Sequence, residues 1–321
     1  MKTKEEIRNK IFQGNCLDVL KDFPGNCISS VITDPPYGLS QVAPDMREVL
    51  KCWISGEDYD SHVSGFMSKD WDSFVPGPKI WKEVMRVLKP GGHIFSFSGG
   101  RTYDLMVTAM RLAGSEIRDK FAYICEQEDG MSWIRGQNFP KSLDIGKTTK
   151  DTSWDGYGTA LKSLHEPIAV FGKDTDPLEP DVPFKYQGKA SEKERNLGCE
   201  NLYWLTGSDG KTASITAEYF KALSDDNESN KNDHGYHEHL ISNGNIHNVI
   251  KPLQLIRYLV KMVKMPGDNL ILDPFCGSGT TLVACVLEGC GFVGIDMESL
   301  SVDISNARVR YAIEKGEEGY K

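Results

Sequence analysis

The sequence contains no long apolar run, no paired cysteine motif and no excess of positive charge. None of its apolar stretches approaches the ~20 residues of a membrane span, and MKTKEEIRNK (1–10) lacks a signal-peptide core, so we expect a cytoplasmic protein without a membrane partner. The eight cysteines are scattered without a CxxC pair, which is typical of reduced thiols. A net charge of −9 argues against a protein that coats nucleic acid, although it allows a local basic groove.

Helix and strand patterns alternate up to about residue 125 and again after residue 250. Residues 127–165 are rich in Gly, Lys, Trp and turn formers, and one more strand is predicted at PIAVFG (167–172). This alternation predicts an α/β fold with a mostly parallel sheet covered on both faces. Between the two parts, apolar periodicity nearly vanishes from about 173 to 248, and residues 224–239 have the polar composition of a flexible segment. The stretch is longer than a plain loop. It therefore predicts a functional insert within the sheet fold.

A glycine-rich turn follows a predicted buried strand in LILDPFCGSGTT (270–281). The strand delivers Asp273, the turn opens into a helix after Gly279, and Asp296 ends the next strand. Such glycines let a ligand approach the backbone, and the second acid suits ribose hydroxyls. A phosphate-binding P-loop is excluded because no lysine follows Gly279, and Leu282 stands where a dinucleotide fingerprint needs glycine. The pattern favours another nucleotide-like cofactor.

A second motif stands in VITDPPYGLS (31–40), where two prolines close a β-branched run. Together, DPPY (34–37) and DPFCGSGTT (273–281) resemble the catalytic and cofactor motifs of DNA amino-methyltransferases that use S-adenosylmethionine. The order, with the catalytic motif first, resembles the beta group of that family. NFPKSLDIGK (138–147) and GYGTALKSLHEPIAVF (156–171) are similar to segments of phage and prophage members, so we expect a bacterial or phage-encoded protein.

The resemblance also implies an organisation for the chain. It covers roughly residues 1–172 and 245–310 and implies a Rossmann-like methyltransferase fold, a doubly wound sheet in circularly permuted order. Residues 1–172 would form the catalytic half of the methyltransferase domain, 173–250 the target-recognition insert, and 251–321 the cofactor-binding half. A homodimer is common in this family, and the enzyme could act with or without a partner nuclease.

The DPPY turn has a chemical role in this reading. Asp34 and the carbonyl of Pro35 would accept the two hydrogens of an exocyclic base amine, which makes its lone pair available for attack on the methyl group. Pro35 and Pro36 remove competing N–H donors and stiffen the turn. Tyr37 would stack on a base extruded from the duplex. Cytosine C5 methylation is disfavoured, because that chemistry needs a thiolate, typically in Pro-Cys, and no proline here precedes a cysteine.

The resemblance implies a set of S-adenosylmethionine contacts. Asn15 and Cys16 would lie near the adenine, with Asn15 replacing the family's usual acid, Asp296 would bind the ribose, and Lys251 would approach the carboxylate end. Within the two motifs, Asp273, Phe275, Gly277 and Gly279 would line the methionine part of the cofactor. The other motif residues in the set are Asp34, Pro274, Ser278 and Thr280.

Double-stranded DNA requires local basic surfaces on this acidic chain. Residues 135–150 combine basic side chains with a phenylalanine, between flanking tryptophans, and 185–195 form a second basic stretch; such segments suit phosphate contacts and base stacking. The candidate DNA-binding residues are Arg135, Lys141, Lys147, Lys150, Lys189 and Arg195.

Several other functions are compatible with parts of the pattern. The same chemistry would methylate cytosine at N4, although family members acting on cytosine commonly begin the motif with serine and those acting on adenine with aspartate. A nucleotide-cofactor oxidoreductase would leave DPPY unexplained, and a non-catalytic DNA-binding module would not need the catalytic groups. RNA or protein-amide methylation fits the insert less well than DNA methylation.

A zinc site could be assembled from Cys199 with the histidines His234, His237 and His239. The spacing lacks the usual finger pattern and the histidines lie in a very polar stretch. We therefore expect a solvated loop there and no metal.

Overall fold

The computed structural model describes most of the regular parts of the chain. The described residues are 1–38, 44–60, 73–123, 166–172, 191–206, 212–218, 220–221, 240–246, 250–264 and 267–320. They fall into two compact units. The first comprises Met1–Thr33, Val87–Lys89 and Ala190–Lys321, and the second comprises Asp34–Arg86 and Pro90–Lys189.

The secondary structure alternates as the sequence predicts. The strands are β1 Lys10–Gln13, β2 Ile28–Thr33, β3 Leu88–Phe97, β4 Glu116–Tyr123, β5 Glu166–Gly172, β6 Tyr203–Thr206, β7 Thr212–Ile215, β8 Leu240–Asn243, β9 Leu270–Asp273 and β10 Gly291–Asp296. The helices are α1 Lys4–Ile7, α2 Cys16–Lys21, α3 Met46–Ser55, α4 Pro78–Val87, α5 Tyr103–Leu112, α6 Glu192–Asn196, α7 Leu253–Val263, α8 Thr280–Leu287 and α9 Ser299–Lys315, followed by a 3₁₀ helix, Gly316–Tyr320.

The first unit contains four parallel strands in the order β1-β10-β9-β2. Every residue of β2 and β9 is buried, as expected for parallel strands covered on both faces. The last two strands of the chain lie between the first two. This is the permuted order that the resemblance implies, and it brings the carboxyl ends of β9 and β10 side by side.

The second unit contains β4, β5 and the part of β3 from Pro90 onward, and β5 runs antiparallel to both neighbours. The apolar pattern predicts a helix from Lys79 to Leu88, ended by Pro90-Gly91-Gly92, and a strand from His93. The strand in the structure begins earlier than this prediction. The helix α4 ends at Val87 and β3 begins at Leu88. The residue before a proline disfavours helical geometry, so Lys89 is already extended.

A small antiparallel sheet, ordered β7-β6-β8, lies in the region where the sequence showed no apolar periodicity. Its anchor is Trp204, which is 1% exposed and donates its indole N–H to the Gly244 carbonyl oxygen at 2.8 Å. Trp204 packs with Cys199 and Ile304 in a buried cluster. A single tryptophan thus anchors part of the predicted insert on α9.

Among the helices of the described ranges, none is long and apolar enough to cross a membrane.

Candidate active site

The loop after β9 begins with a carboxylate that is held on two sides. Asp273 is 3% exposed, and its Oδ1 accepts from Thr33 Oγ1 at 2.7 Å and from the Phe275 N–H at 3.2 Å. Thr33 is the last residue of the neighbouring strand β2. Asp273 therefore ties the ends of two parallel strands to the first turn of the loop, in which Pro274 is also buried.

The second predicted acid, Asp296, binds the middle of this loop. Its Oδ2 accepts from the Gly277 N–H at 2.9 Å, and its Oδ1 accepts from the Glu298 N–H at 2.9 Å. The Cys276 N–H donates to the Ile295 carbonyl at 2.9 Å. A carboxylate can accept about four hydrogen bonds, which is also what suits it to ligand hydroxyls. Asp296, which was predicted to bind the ribose, thus also holds the backbone of the loop by hydrogen bonds.

The loop ends at the N-terminus of α8, at Gly279. The conformation and the close packing at this position exclude a side chain. Its φ is +76°, and an added Cβ would lie 2.8 Å from Ser305 Oγ. Ser278 and Thr280 on either side are buried, at 4% and 6% exposure. The first turn of a helix presents free N–H groups, which suit an anionic ligand group.

The helix α9 supports the loop from behind through two residues that sequence reasoning missed. Ser305 Oγ donates to the Gly277 carbonyl at 2.7 Å, and Arg308 Nη1 donates to the Ser278 carbonyl at 2.7 Å. Arg308 Nη1 also contacts Ser278 Oγ at 3.1 Å and Thr280 Oγ1 at 3.0 Å. A signal was present in the sequence, because Ser305 and Arg308 fall at helical spacing on the buried face of α9.

The residues predicted near the cofactor adenine lie at the end of β1. The Gly14 N–H donates to the Asp296 carbonyl oxygen at 2.8 Å, which brings this end to β10. Asn15 is exposed and caps α2, its Oδ1 accepting from the Leu17 N–H at 2.9 Å. Cys16 is buried; burial, with a smaller contribution from the charge of Asp296, raises the pKa of its thiol to about 12. The thiol is therefore protonated and contributes shape, not nucleophilicity.

Lys251 is 9% exposed and stands two residues before α7. The first N–H of that helix, from Leu253, donates to Glu194 Oε1 at 2.7 Å. The short helix α6 is also bound to residue 245, since Asn245 Nδ2 donates to the Arg195 carbonyl at 2.9 Å. Lys251 thus lies two residues before a helix start that is held by Glu194, a side chain of the predicted insert.

The DPPY turn starts immediately after β2. Pro35 is buried, whereas Asp34, Pro36 and Tyr37 are half-buried. Thr102 Oγ1 donates to the Tyr37 carbonyl at 2.5 Å. This bond holds the main chain of the turn at its aromatic residue.

Two glycines allow close packing around the turn. A Cβ on Gly99 would lie 3.2 Å from Tyr37 Cβ, and a Cβ on Gly38 would lie 3.0 Å from the Val75 nitrogen, with a φ of +63°. Next to Val75, the Phe74 ring contacts the ring of Tyr59 with centroids 4.8 Å apart. The turn is therefore enclosed by a glycine on one side and the main chain of an aromatic cluster on the other.

Comparison with known families decides the class of this protein. A family model for N6/N4-type methyltransferases, described as DNA methylase, matches residues 28–307. The chain belongs to this family. This DNA methylase is a methyltransferase that uses S-adenosylmethionine, as the two motifs predicted.

The methylase is similar over most of its length to type II methyltransferases. It is 24% identical over 305 residues to M.HindIII of Haemophilus influenzae, covering 89% of this chain and 90% of that protein. It is 26% identical over 313 residues to M.BglII of Bacillus subtilis, covering 92% of this chain and 68% of that protein. Among solved structures, the PvuII DNA methyltransferase (cytosine-N4-specific) matches with a TM-score of 0.53 and 16% identity, covering 94% of this chain and 86% of that one. The predicted Rossmann-like fold is confirmed.

The loop of the methylase fits S-adenosylmethionine chemically. Carboxylates at the ends of β9 and β10 suit ribose hydroxyls and the ammonium group, and the free N–H groups of α8 suit the methionine carboxylate. Cys276 lies within the loop, and its burial, followed by the nearby charges of Asp296 and Asp273, raises the pKa of its thiol well above the usual range. It is therefore no candidate for a thiolate that adds to a base.

Most of the predicted DNA contacts lie outside the described residues, namely Arg135, Lys141, Lys147, Lys150 and Lys189. Arg195 is described and half-buried on α6. Of the weaker zinc candidates, His234, His237 and His239 also lie outside the described part. Cys199 belongs to the apolar cluster around Trp204, where burial raises the pKa of its thiol to about 11. No group of three metal-ligating side chains occurs among the residues that the structure describes.

Proposed function

We propose that this DNA methylase transfers the methyl group of S-adenosylmethionine to the exocyclic N6 of an adenine extruded from DNA. The observation that supports this most directly is the DPPY turn itself, which begins with a carboxylate and is fixed by Thr102 and Gly99 at Tyr37. A carboxylate is a stronger acceptor than the serine hydroxyl common in cytosine-specific relatives. It therefore suits the more delocalised amine of the purine.

The turn activates the amine by hydrogen bonding. The Asp34 carboxylate and the Pro35 carbonyl accept one N–H each, which draws the nitrogen toward tetrahedral geometry. Tyr37 stacks on the extruded ring and orients the lone pair. The bound cofactor supplies an electrophilic methyl group on sulfur. Transfer would form the C–N bond as the C–S bond breaks, with S-adenosylhomocysteine as the leaving group. The methylated nitrogen would then pass to Asp34 the proton that is hydrogen-bonded to its carboxylate.

The cofactor would lie along the first unit. We assign the ribose hydroxyls to Asp296, the adenine to Asn15 and Cys16, and the carboxylate end to Lys251. The methionine part would follow the loop from Asp273 to Thr280, including Pro274, Phe275, Gly277, Ser278 and Gly279. These assignments rest on the adjacency of β1, β9 and β10 and on the direct bond between Gly277 and Asp296.

The DNA would be held by the two basic segments and by residues 173–250. Replacing Lys141 and Lys147 by alanine should weaken binding to all sequences alike and reduce the salt dependence, because phosphate contacts carry no sequence information. Unchanged binding would contradict this placement.

Expression in a bacterial host without endogenous DNA methylation tests the proposed base. Sequencing that detects modified bases should find N6-methyladenine at one recurrent site, and it should be lost when Asp34 is replaced by alanine. N4-methylcytosine in its place would leave the chemistry of the turn standing and reject adenine. A host genome without modified bases would reject the activity.

A further inference from the structure

We infer that Arg308 is a positioning residue for the cofactor loop, and this inference rests on the proposed role of that loop in binding S-adenosylmethionine. Arg308 lies on α9, outside both motifs, and its side chain is fully buried. Burying a guanidinium lowers the stability of a protein unless the group is paired with a charge or well hydrogen-bonded. Its position therefore requires an explanation.

Three acceptors around the loop share one nitrogen of this side chain. Nη1 lies 2.7 Å from the Ser278 carbonyl oxygen, 3.1 Å from Ser278 Oγ and 3.0 Å from Thr280 Oγ1. These acceptors flank Gly279, the left-handed residue at the start of α8. Arg308 thus holds the turn at the point where the chain changes from loop to helix.

Arg308 acts together with Ser305, one helical turn earlier on the same face of α9. Ser305 Oγ holds the Gly277 carbonyl at 2.7 Å, so two successive carbonyls of the loop face α9. In a planar trans peptide the N–H points opposite to the carbonyl. The Ser278 N–H therefore points away from α9, and the inferred ligand side is the one that this N–H faces.

The surroundings of Arg308 indicate that its positive charge also contributes to the binding of an anionic group by the loop. Among the residues that the structure describes, no carboxylate forms an ion pair with its guanidinium, and its Nε and Nη2 lack hydrogen-bond partners. Burial lowers the pKa of the guanidinium, and interactions with Tyr320, Cys199 and Glu194 counteract this. This positive charge lies next to the N-terminus of α8, where the helix dipole is also positive. Both favour a loop that receives an anionic group.

A comparison of three variants tests this role. Arg308→Met removes the donors and the charge, Arg308→Lys keeps the charge with a shorter reach, and Arg310→Met removes an exposed arginine two residues along the same helix. Titration calorimetry with S-adenosylmethionine should show about a tenfold weaker affinity for Arg308→Met, or ~1.4 kcal/mol. Arg308→Lys should be intermediate and Arg310→Met unchanged. In steady-state assays, KM for the cofactor should rise while KM for DNA stays constant.

Loss of stability without loss of affinity in the Arg308 variants would overturn the inference, since it would make the residue merely structural. A measurement on the unaltered protein decides the case in which the variants do not fold. The Nε–Hε resonance of Arg308 should shift when S-adenosylhomocysteine saturates the protein, and an unchanged resonance at saturation would contradict the role. If the unaltered protein binds no S-adenosylmethionine, the proposed function fails first. Equal binding by the unaltered protein and all variants rejects Arg308 alone.

Discussion

The proposed cofactor loop (residues 273–280) and the proposed catalytic turn (residues 34–37) are built in different ways. The cofactor loop is held by side chains that grip its backbone: Asp273 and Asp296 accept its N–H groups, and Ser305 and Arg308 donate to its carbonyls. The catalytic turn owes its stiffness to Pro35 and Pro36, to the hydroxyl of Thr102 and to close packing at its glycine neighbours.

This difference determines what each region reveals when it is altered. In the cofactor loop the acids that would bind the ligand also maintain the loop, so binding and stability should change together. In the proposed catalytic turn the contacts that hold the turn involve the main chain of Tyr37 and its glycine neighbours, whereas the Asp34 carboxylate is assigned to the substrate. Changes there should separate catalysis from folding and from cofactor binding.

Removal of the proposed acceptor should have the largest effect. Asp34→Ala should reduce methyl transfer by about 10³-fold, since a preorganised acceptor at the reacting atom is lost, while cofactor affinity changes little. Incorporation of labelled methyl groups into DNA measures the rate, and calorimetry measures the affinity. Asp104→Ala, which removes an exposed carboxylate of α5, serves as the matched control. Substantial turnover by Asp34→Ala would refute the catalytic assignment.

Gly279→Ala should destabilise the protein by about 3 kcal/mol. The left-handed conformation costs about 1–2 kcal/mol for a residue with a Cβ, and the contact with Ser305 at 2.8 Å adds to it. Gly91→Ala is the matched control, because its φ of +75° is nearly the same and no atom lies within 4 Å of the added Cβ. Urea unfolding should give a loss of about 1 kcal/mol for Gly91→Ala. Equal losses would mean that contact with α9 does not constrain the loop.

Asp296→Asn should weaken cofactor binding by about 2 kcal/mol and also lower stability. The amide loses the charge and places a donor against the N–H of Gly277 or Glu298. Calorimetry and thermal unfolding should both report a loss, whereas Asp303→Asn, an exposed acid of α9, should change neither. A variant of Asp296 with weakened binding and full stability would show that the carboxylate serves only the ligand.

Thr102→Val should have the smallest effect, a decrease in kcat of about fivefold. The substitution removes one hydrogen bond, worth ~1 kcal/mol, that positions the main chain of Tyr37. Thr102→Ser keeps the hydroxyl and should restore the rate, while cofactor affinity stays constant in both. If Thr102→Ser is as slow as Thr102→Val, the hydroxyl is not the positioning element.

Local patterns were sufficient to predict the strands and helices that surround both motifs. The conformation of the Gly-rich turn and of the strands β9 and β10 depends on a few adjacent residues. It can therefore be recognised in the sequence, as can the order of the two motifs. The small sheet escaped prediction, because its strands have only four residues each and its core depends on one tryptophan packed against a distant helix. The helix α3 was missed as well, although Val49 and Trp53 are buried at i, i+4 spacing.

The site was predicted less completely than the fold. Motif residues such as Asp273 and Asp296 are recognisable in the sequence because they stand at strand ends. Their second role in holding the loop depends on hydrogen bonds to Thr33 and Gly277, which no local pattern reveals. Arg308 and Thr102 lie outside the motifs, and their roles follow from tertiary contacts alone.

The identity of the product nucleoside is the most direct test of the account. Duplex DNA would be incubated with the purified protein and S-adenosylmethionine carrying a labelled methyl group, then digested to nucleosides and separated by mass spectrometry. The account predicts label in N6-methyladenine with the unaltered protein and loss of that label with Asp34→Ala. Label in N4-methylcytosine alone would contradict the proposed base, and label retained by Asp34→Ala would contradict the proposed role of the turn.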